Sequence, residues 1–266
     1  VNPPVGHNRT TVSRVLVRLV LAVAAALFLL PFAVMLRQGL AEDWSTVGEL
    51  FTDDEVPFAR SLLNSVIVSV PQTLGQLVVC SLAGYGLARV PYRHASKVLY
   101  AVVATLMVPT AVTFVPSFVV VSSLGWLSDL RGLIVPGLFS ALSVFLFRQY
   151  FLDFPLALEE AGRLDGLSRW GVFWRVVVPN STGFIAAIAV IDFIGSWNQL
   201  LWPLIIAQDS STWTVQVALS SLLTAQNPKI TLLFAGAAVS ILPVLLVFVL
   251  LQRHLVRGVT ETGLKG

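Results

Sequence analysis

The sequence predicts an all-α polytopic membrane protein with six transmembrane helices and both termini in the cytoplasm. Three observations carry this. Hydrophobic residues fill 56% of the 266 positions and charged residues only 12%, where globular chains carry about a quarter charged. Six apolar stretches, 15–36, 62–88, 98–122, 133–151, 182–206 and 231–252, approach the ~20 residues that a spanning helix needs. All but four of the 17 basic residues fall on one side of those stretches. Arg37, Arg60, Arg131 and Lys229 lie on the other side, among Glu42, Asp43, Glu49, Asp53, Asp54, Glu55, Asp129 and Asp209. The excess of positive charge marks the cytoplasmic face.

Residues 1–14 read as a polar cytoplasmic tail, 15–257 as one membrane domain with a cytoplasmic loop at 153–180, and 258–266 as a second tail. The first apolar run has an Arg-rich front like a secretory signal, but it continues to Leu36 and reads as the first span. The acidic outer segment 37–60 carries Trp44 and Phe51, and reads equally as an interfacial helix, a docking surface or a solvated loop anchored by Trp44. Basic clusters beside the spans serve topology and contact lipid headgroups, and give no footprint for nucleic acid. The single Cys80 lies inside the second span, which excludes a disulfide framework and leaves it as a small packing residue.

The second span carries Ser65, Ser69, Gln72, Thr73 and Gln76 at helical spacing, one polar stripe. Such a stripe lines a path for a polar neutral solute, or it binds helices together, since the same side chains bond across membrane interfaces. The fifth span holds the only fully intramembrane acid, Asp192, with Ser196 and Gln199 on its face and Trp197, Asn198 and Trp202 nearby. An ionisable group at that depth is costly and marks function by default. It faces a water-filled cavity or pairs with a cation, and its depth favours the cavity. Trp197 and Trp202 suit stacking on sugar rings or anchoring at the interface, Trp202 rather the latter. Prolines occur in every span, which suits helices that bend.

The polar loop is where the pattern changes. Asp153 suits a helix start and Pro155 a first turn. Leu156, Glu160 and Leu164 recur at four-residue spacing with Ala161 beside them, so they share one face. Gly166 is placed to end that helix, Ser168 to cap a second, and Pro179 to close it. Two short helices around a glycine make a knob suited to another protein's cleft.

Chemistry of its own is missing. There is no G-x-x-x-x-G-K-[ST] phosphate loop and no H-E-x-x-H, and His7, His94 and His254 are scattered. Glu159 and Glu160 point about 100° apart on a helix, which does not suit shared acid–base work. No catalytic or metal-ligating set is expected, so a partner or an ion gradient must drive whatever this chain does.

The loop resembles the signature E-A-A-x-x-x-G-x9-I-x-L-P of inner-membrane permease subunits of ABC importers. Glu160, Ala161 and Gly162 stand at E-A-A, Gly166 at the glycine, and Val176, Val178 and Pro179 at I-x-L-P. Arg60 to Ser69, then Ala83, Tyr85 and Arg89, then Trp197-Asn198 with Pro203-Leu204, and finally Gln252-Arg253 through Gly258 to Lys265-Gly266, are similar in order to motifs of the carbohydrate-uptake, maltose-type small permease subunits. The resemblance implies a permease subunit of the bacterial or archaeal cytoplasmic membrane, importing a sugar, with di- or oligosaccharides favoured. It implies a second permease subunit in a heterodimer, two ATPase subunits that hold ATP and Mg, and an extracytoplasmic solute-binding protein. No cofactor is expected in this chain. Glu159, Glu160, Ala161, Gly162, Leu164, Asp165 and Gly166 would couple to the ATPase. Ser69, Gln72, Thr73, Gln76, Asp192, Ser196, Asn198 and Gln199 are the candidate solute path. The alternative is a secondary transporter with Asp192 as its proton or cation site.

Overall fold

A computed structural model of the chain describes residues 8–39, 45–53, 55–224 and 228–262, with side chains from 16 to 254, Leu36 excepted. Trp44 and the last four residues lie outside the described residues. Among the described residues, every regular element is helical. Five helical segments are long and apolar enough to cross a membrane: Leu16–Gly39, Phe58–Arg89, Leu130–Asp153, Thr182–Ile206 and Ile230–His254. A sixth is a pair, Ala95–Thr105 and Thr110–Ser123, bent by 96°. The span expected over 98–122 is therefore broken at its proline rather than only kinked. Pro109 sits at the N-cap of the second half, where its missing N–H and its ring interrupt the ladder.

In chain order the helices are α1 (Asn8–Gly39), α2 (Ser45–Thr52), α3 (Phe58–Arg89), α4 (Ala95–Thr105), α5 (Thr110–Ser123), α6 (Leu130–Ile134) and α7 (Ala141–Asp153). The chain continues through α8 (Leu156–Leu164), α9 (Arg169–Val172), a π-helical turn (Phe173–Val177), α10 (Val178–Asn180), α11 (Thr182–Trp197), α12 (Leu201–Ile206), α13 (Val215–Thr224) and α14 (Ile230–Thr262). Both α1 and α14 extend into segments expected to be tails, since α1 starts at Asn8 and α14 ends at Thr262.

α3 is the central helix, packed most extensively on α7 and then on α11. Gly84 permits the α3–α7 approach, because a Cβ there would lie 2.6 Å from Phe147 Cβ and 2.9 Å from the Arg148 backbone nitrogen. Small residues at such crossings let membrane helices pack closely where no hydrophobic drive exists. Three buried clusters follow α3 along its length. Leu50, Phe58, Trp197 and Leu222 gather near its start, Val68, Leu133, Trp202 and Ile206 beside its middle, and Cys80, Tyr85, Phe147, Phe151 and Phe173 at its end. By contrast Leu19, Leu27, Phe28 and Leu30 of α1 and Leu246, Val249 and Leu250 of α14 face outward, as surfaces solvated by lipid do.

The span that includes α7 is also discontinuous. A short 3-10 turn, Val135–Gly137, separates α6 from α7. Pro136 lies in that turn, and Ser140 restarts the helix by accepting a bond from Ser143 N–H at 3.2 Å.

Candidate functional site

Between the end of α7 and the start of α11, the chain leaves the bundle as a knob. Asp153 is the last residue of α7 and makes no cap, so α8 starts at Leu156 behind Pro155. The two prolines thus differ from expectation: Pro155 is an N-cap, and Pro179 lies inside α10. Gly166 does end α8. It has φ +82°, a region that glycine enters without steric cost. Its N–H bonds to the Arg163 carbonyl and the Leu167 N–H to the Gly162 carbonyl, both at 3.0 Å, the paired bonds of a Schellman ending. Ser168 then accepts from Gly171 N–H at 3.1 Å and starts the second helix as expected.

The seven knob residues singled out in the sequence divide in two. Glu160, Ala161, Leu164, Asp165 and Gly166 are exposed, Leu164 to 89%. Leu156, Leu158 and Trp170 are exposed beside them. Glu159 and Gly162 instead turn inward. A Cβ on Gly162 would meet Val176 at 3.1 Å and Val172 at 3.4 Å, so this glycine lets α8 close on the second helix rather than on a partner.

Glu159 is 1% exposed. Its Oε1 accepts from Arg89 Nε at 2.7 Å and its Oε2 from the Tyr85 hydroxyl at 3.0 Å. Arg89 Nη2 also donates to the Phe154 carbonyl at 2.5 Å. Arg163, one turn along, stands 3.9 Å from Glu159 Oε2. The Tyr85 ring packs between Phe151 and Phe173, with centroids 5.6 and 4.9 Å away. The direction of Glu159 was not anticipated. The signal was present, since Tyr85 and Arg89 are four residues apart and therefore share a face of α3.

Above the knob, most of the polar stripe of α3 is engaged within the chain, while Thr73 Oγ1 and Gln76 Oε1 are buried without a partner among the described residues. Ser69, Gln72 and Thr73 are buried. The Ser196 hydroxyl donates to Gln72 Oε1 and lies 3.2 Å from Ser69 Oγ. Gln76 Nε2 donates to the Gly137 carbonyl at 2.6 Å, and Cys80 Sγ lies 3.4 Å from Ser140 N and 3.5 Å from Ser140 O. Gln76 and Cys80, one turn apart, thus satisfy the backbone freed where the α6–α7 span breaks, as irregular backbone at membrane depth requires. At the start of α3, Asn64 Nδ2 donates to the Ser211 and Trp213 carbonyls, both at 2.9 Å, and Ser65 Oγ accepts from Val215 N–H at 2.7 Å. Ser65, Ser69, Gln72 and Gln76 thus bond across to other segments of the chain.

Asp192 is 8% exposed and accepts from the Ser143 hydroxyl at 2.8 Å. Its other oxygen, Oδ2, is buried without a hydrogen-bond partner, and no ion pair to Asp192 occurs among the described residues. Its partner lies in the first turn of α7, where the helix dipole favours a carboxylate. Trp197 and Trp202 are also buried. Their indole N–H groups donate to the Ser240 carbonyl at 3.1 Å and the Gly132 carbonyl at 3.0 Å, so neither anchors at the interface nor offers a stacking face. Only Asn198 and Gln199 of the candidate path are exposed, and Gln216 Nε2 donates to Asn198 Oδ1 at 3.3 Å.

On the opposite side of the bundle, the acidic segment forms the helix α2, held on the core by Leu50. Behind it, Lys229 Nζ contacts Asp53 Oδ2 at 2.5 Å and Glu55 Oε2 at 2.9 Å. Burial pushes the Asp53 carboxyl up. The Lys229 ammonium and the N–H groups of Val56 and Glu55 outweigh it and hold the group below its ordinary value. Bonds to Asp53 and then Glu55 push Lys229 up in turn.

Residues 80–261 match the family described as the binding-protein-dependent transport system inner membrane component. The chain is 35% identical over 215 residues to the lactose transport system permease protein LacG of Rhizobium radiobacter, covering 81% of this chain and 78% of that one. It is 32% identical to the arabinooligosaccharides transport system permease protein AraQ of Bacillus subtilis, over 82% and 77% of the two chains. The sn-glycerol-3-phosphate transport system permease protein UgpE of Yersinia pestis is 32% identical over 79% and 75%. A chain in the crystal structure of a bacterial ABC transporter involved in the import of the acidic polysaccharide alginate shares the fold, with a TM-score of 0.78 at 21% identity over 94% of this chain and 99% of that one.

Proposed function

Since the chain belongs to the family of inner-membrane components of binding-protein-dependent transport systems, and is a multi-pass permease subunit of an ABC importer, we propose that its solute is a sugar. We propose further that the knob from Leu156 to Trp174 is its contact with an ATPase. The exposed knob carries this reading. Leu156, Leu158, Leu164 and Trp170 stand in solvent-facing positions on a loop outside the spans, and apolar groups clustered in this way mark a protein contact. Glu160 lies among them, available to a cation of the partner.

ATP and Mg would be held by two ATPase subunits, and a second permease subunit would complete the path. Relatives named for arabinooligosaccharides and lactose support a di- or oligosaccharide. The relative named for sn-glycerol-3-phosphate keeps a phosphorylated polyol as the second reading. The uncharged amides Asn198, Gln199 and Gln216 favour the neutral solute, since they offer donors and acceptors to hydroxyl groups without the cation that a phosphate requires. On this reading Ser69, Gln72, Gln76, Asp192 and Ser196 hold the helices that carry the path, and Thr73 is buried beside them. The secondary-transporter alternative has no support, because the family is binding-protein-dependent and Asp192 is engaged by Ser143.

The test is a gentle detergent pull-down of the tagged chain from its own membrane. Recovery of a P-loop ATPase and a second permease is expected, and the co-purified binding protein would then be titrated with oligosaccharides and with glycerol phosphates. Recovery of this chain alone, from membranes that take up solute, would contradict the proposal.

A further inference from the structure

We propose that the buried Arg89–Glu159–Tyr85 cluster is the link through which movement of the knob reaches α3, so that these three are positioning residues for energy coupling. The proposal rests on the importer reading and adds the route by which force enters the spans. Glu159 is the one charged side chain of α8 that turns into the bundle, and both of its oxygens are taken by α3, at 2.7 and 3.0 Å. Arg89 also holds the Phe154 carbonyl, so one guanidinium grips the chain on both sides of the start of α8. The two donors form the last turn of α3, whose next turns upward carry Cys80 and Gln76 against the broken α6–α7 span. A rigid displacement of α8 is thereby passed to α3 rather than absorbed by the Pro155 turn.

Burial makes a purely stabilising role a poor explanation. Taking two charges out of water costs as much as their attraction returns, and apolar residues of similar volume often serve stability as well. What an ion pair of fixed geometry adds is direction: Arg donates along defined N–H axes. Against the second helix α8 presents Gly162, where an added Cβ would meet Val172, Val176 and Leu167 side chains, an apolar approach tolerant of sliding.

The experiment measures ATP hydrolysed per solute taken up by the complete complex in proteoliposomes with its binding protein. Glu159→Gln is expected to raise that ratio about tenfold, and Tyr85→Phe to raise it by a smaller factor. The reciprocal exchange Arg89→Glu with Glu159→Arg is expected to bring it back toward the unmodified value. Tyr85→Phe keeps the ring on Phe151 and Phe173, so it decides the matter even where Glu159→Gln does not assemble. An unchanged ratio in Tyr85→Phe, or in an assembled Glu159→Gln complex, would overturn the link while leaving the importer reading intact. If ATP hydrolysis in the unmodified complex does not respond to solute, the importer reading fails and the link with it.

Discussion

At the scale of single residues, the Asp53–Lys229–Glu55 ion cluster and Gly166 each give a sharp expectation. Asp53 ionises more readily in the folded chain than its ordinary value of 3.8. Its contribution is therefore complete above that value and is lost as pH falls through the lower folded one. Lys229 is the opposite case, raised above 10.5, so its contribution is complete below that value and is lost only as pH rises through the folded one. Together they hold α2 on the bundle across the whole neutral range. Hydrogen exchange in α2 should rise below about pH 4, and Asp53→Asn should raise it at neutral pH and flatten the acid response. Gly166→Ala meets no atom within 4 Å, but its φ of +82° imposes a backbone strain of about 1 kcal/mol. The expected result is a small loss of thermal stability, far below that of a filled core position. No loss at all would mean that the turn is not left-handed, and a loss as large as a core substitution's that the position is packed.

At the scale of elements, two helix surfaces should respond in opposite ways. Gly84 sits where α3 touches the α7 backbone, so Gly84→Leu must push the two helices apart, at a cost of about 1–3 kcal/mol, and detergent-solubilised yield and melting temperature should fall. Leu164 is exposed to 89%, so Leu164→Glu should change stability by no more than about 0.5 kcal/mol yet reduce recovery of the ATPase partner in a pull-down. Much of this architecture was legible beforehand. Hydropathy located every span to within a few residues because lipid leaves a long uninterrupted signal, and Gly166 and Ser168 gave away the knob through local turn chemistry. Side-chain direction was not legible. Glu159 and Glu160 look alike in sequence, and only the packing of α8 on α3 sends the first inward to Arg89 and the second outward. Asp192 gave a strong signal of depth but none of its partner, because Ser143 lies 49 positions away on a helix whose start depends on the break at Val135–Gly137. Likewise the 96° bend at Pro109 was marked by its proline, while the angle is set by tertiary packing.

At the scale of the whole molecule, the chain is a bundle built around α3, with polar side chains closing its seams, lipid-facing helices outside and an apolar knob at one end. On the importer reading energy enters through a contact with the ATPase, and the exposed knob is the surface proposed for it. The measurement that addresses this most directly is solute uptake into proteoliposomes containing the complex recovered with the tagged chain, with the binding protein outside and ATP inside. Uptake that requires both internal ATP and the binding protein, and that Leu164→Glu strongly reduces, is the expected result. Uptake that persists without ATP and collapses when an ion gradient is dissipated would contradict it.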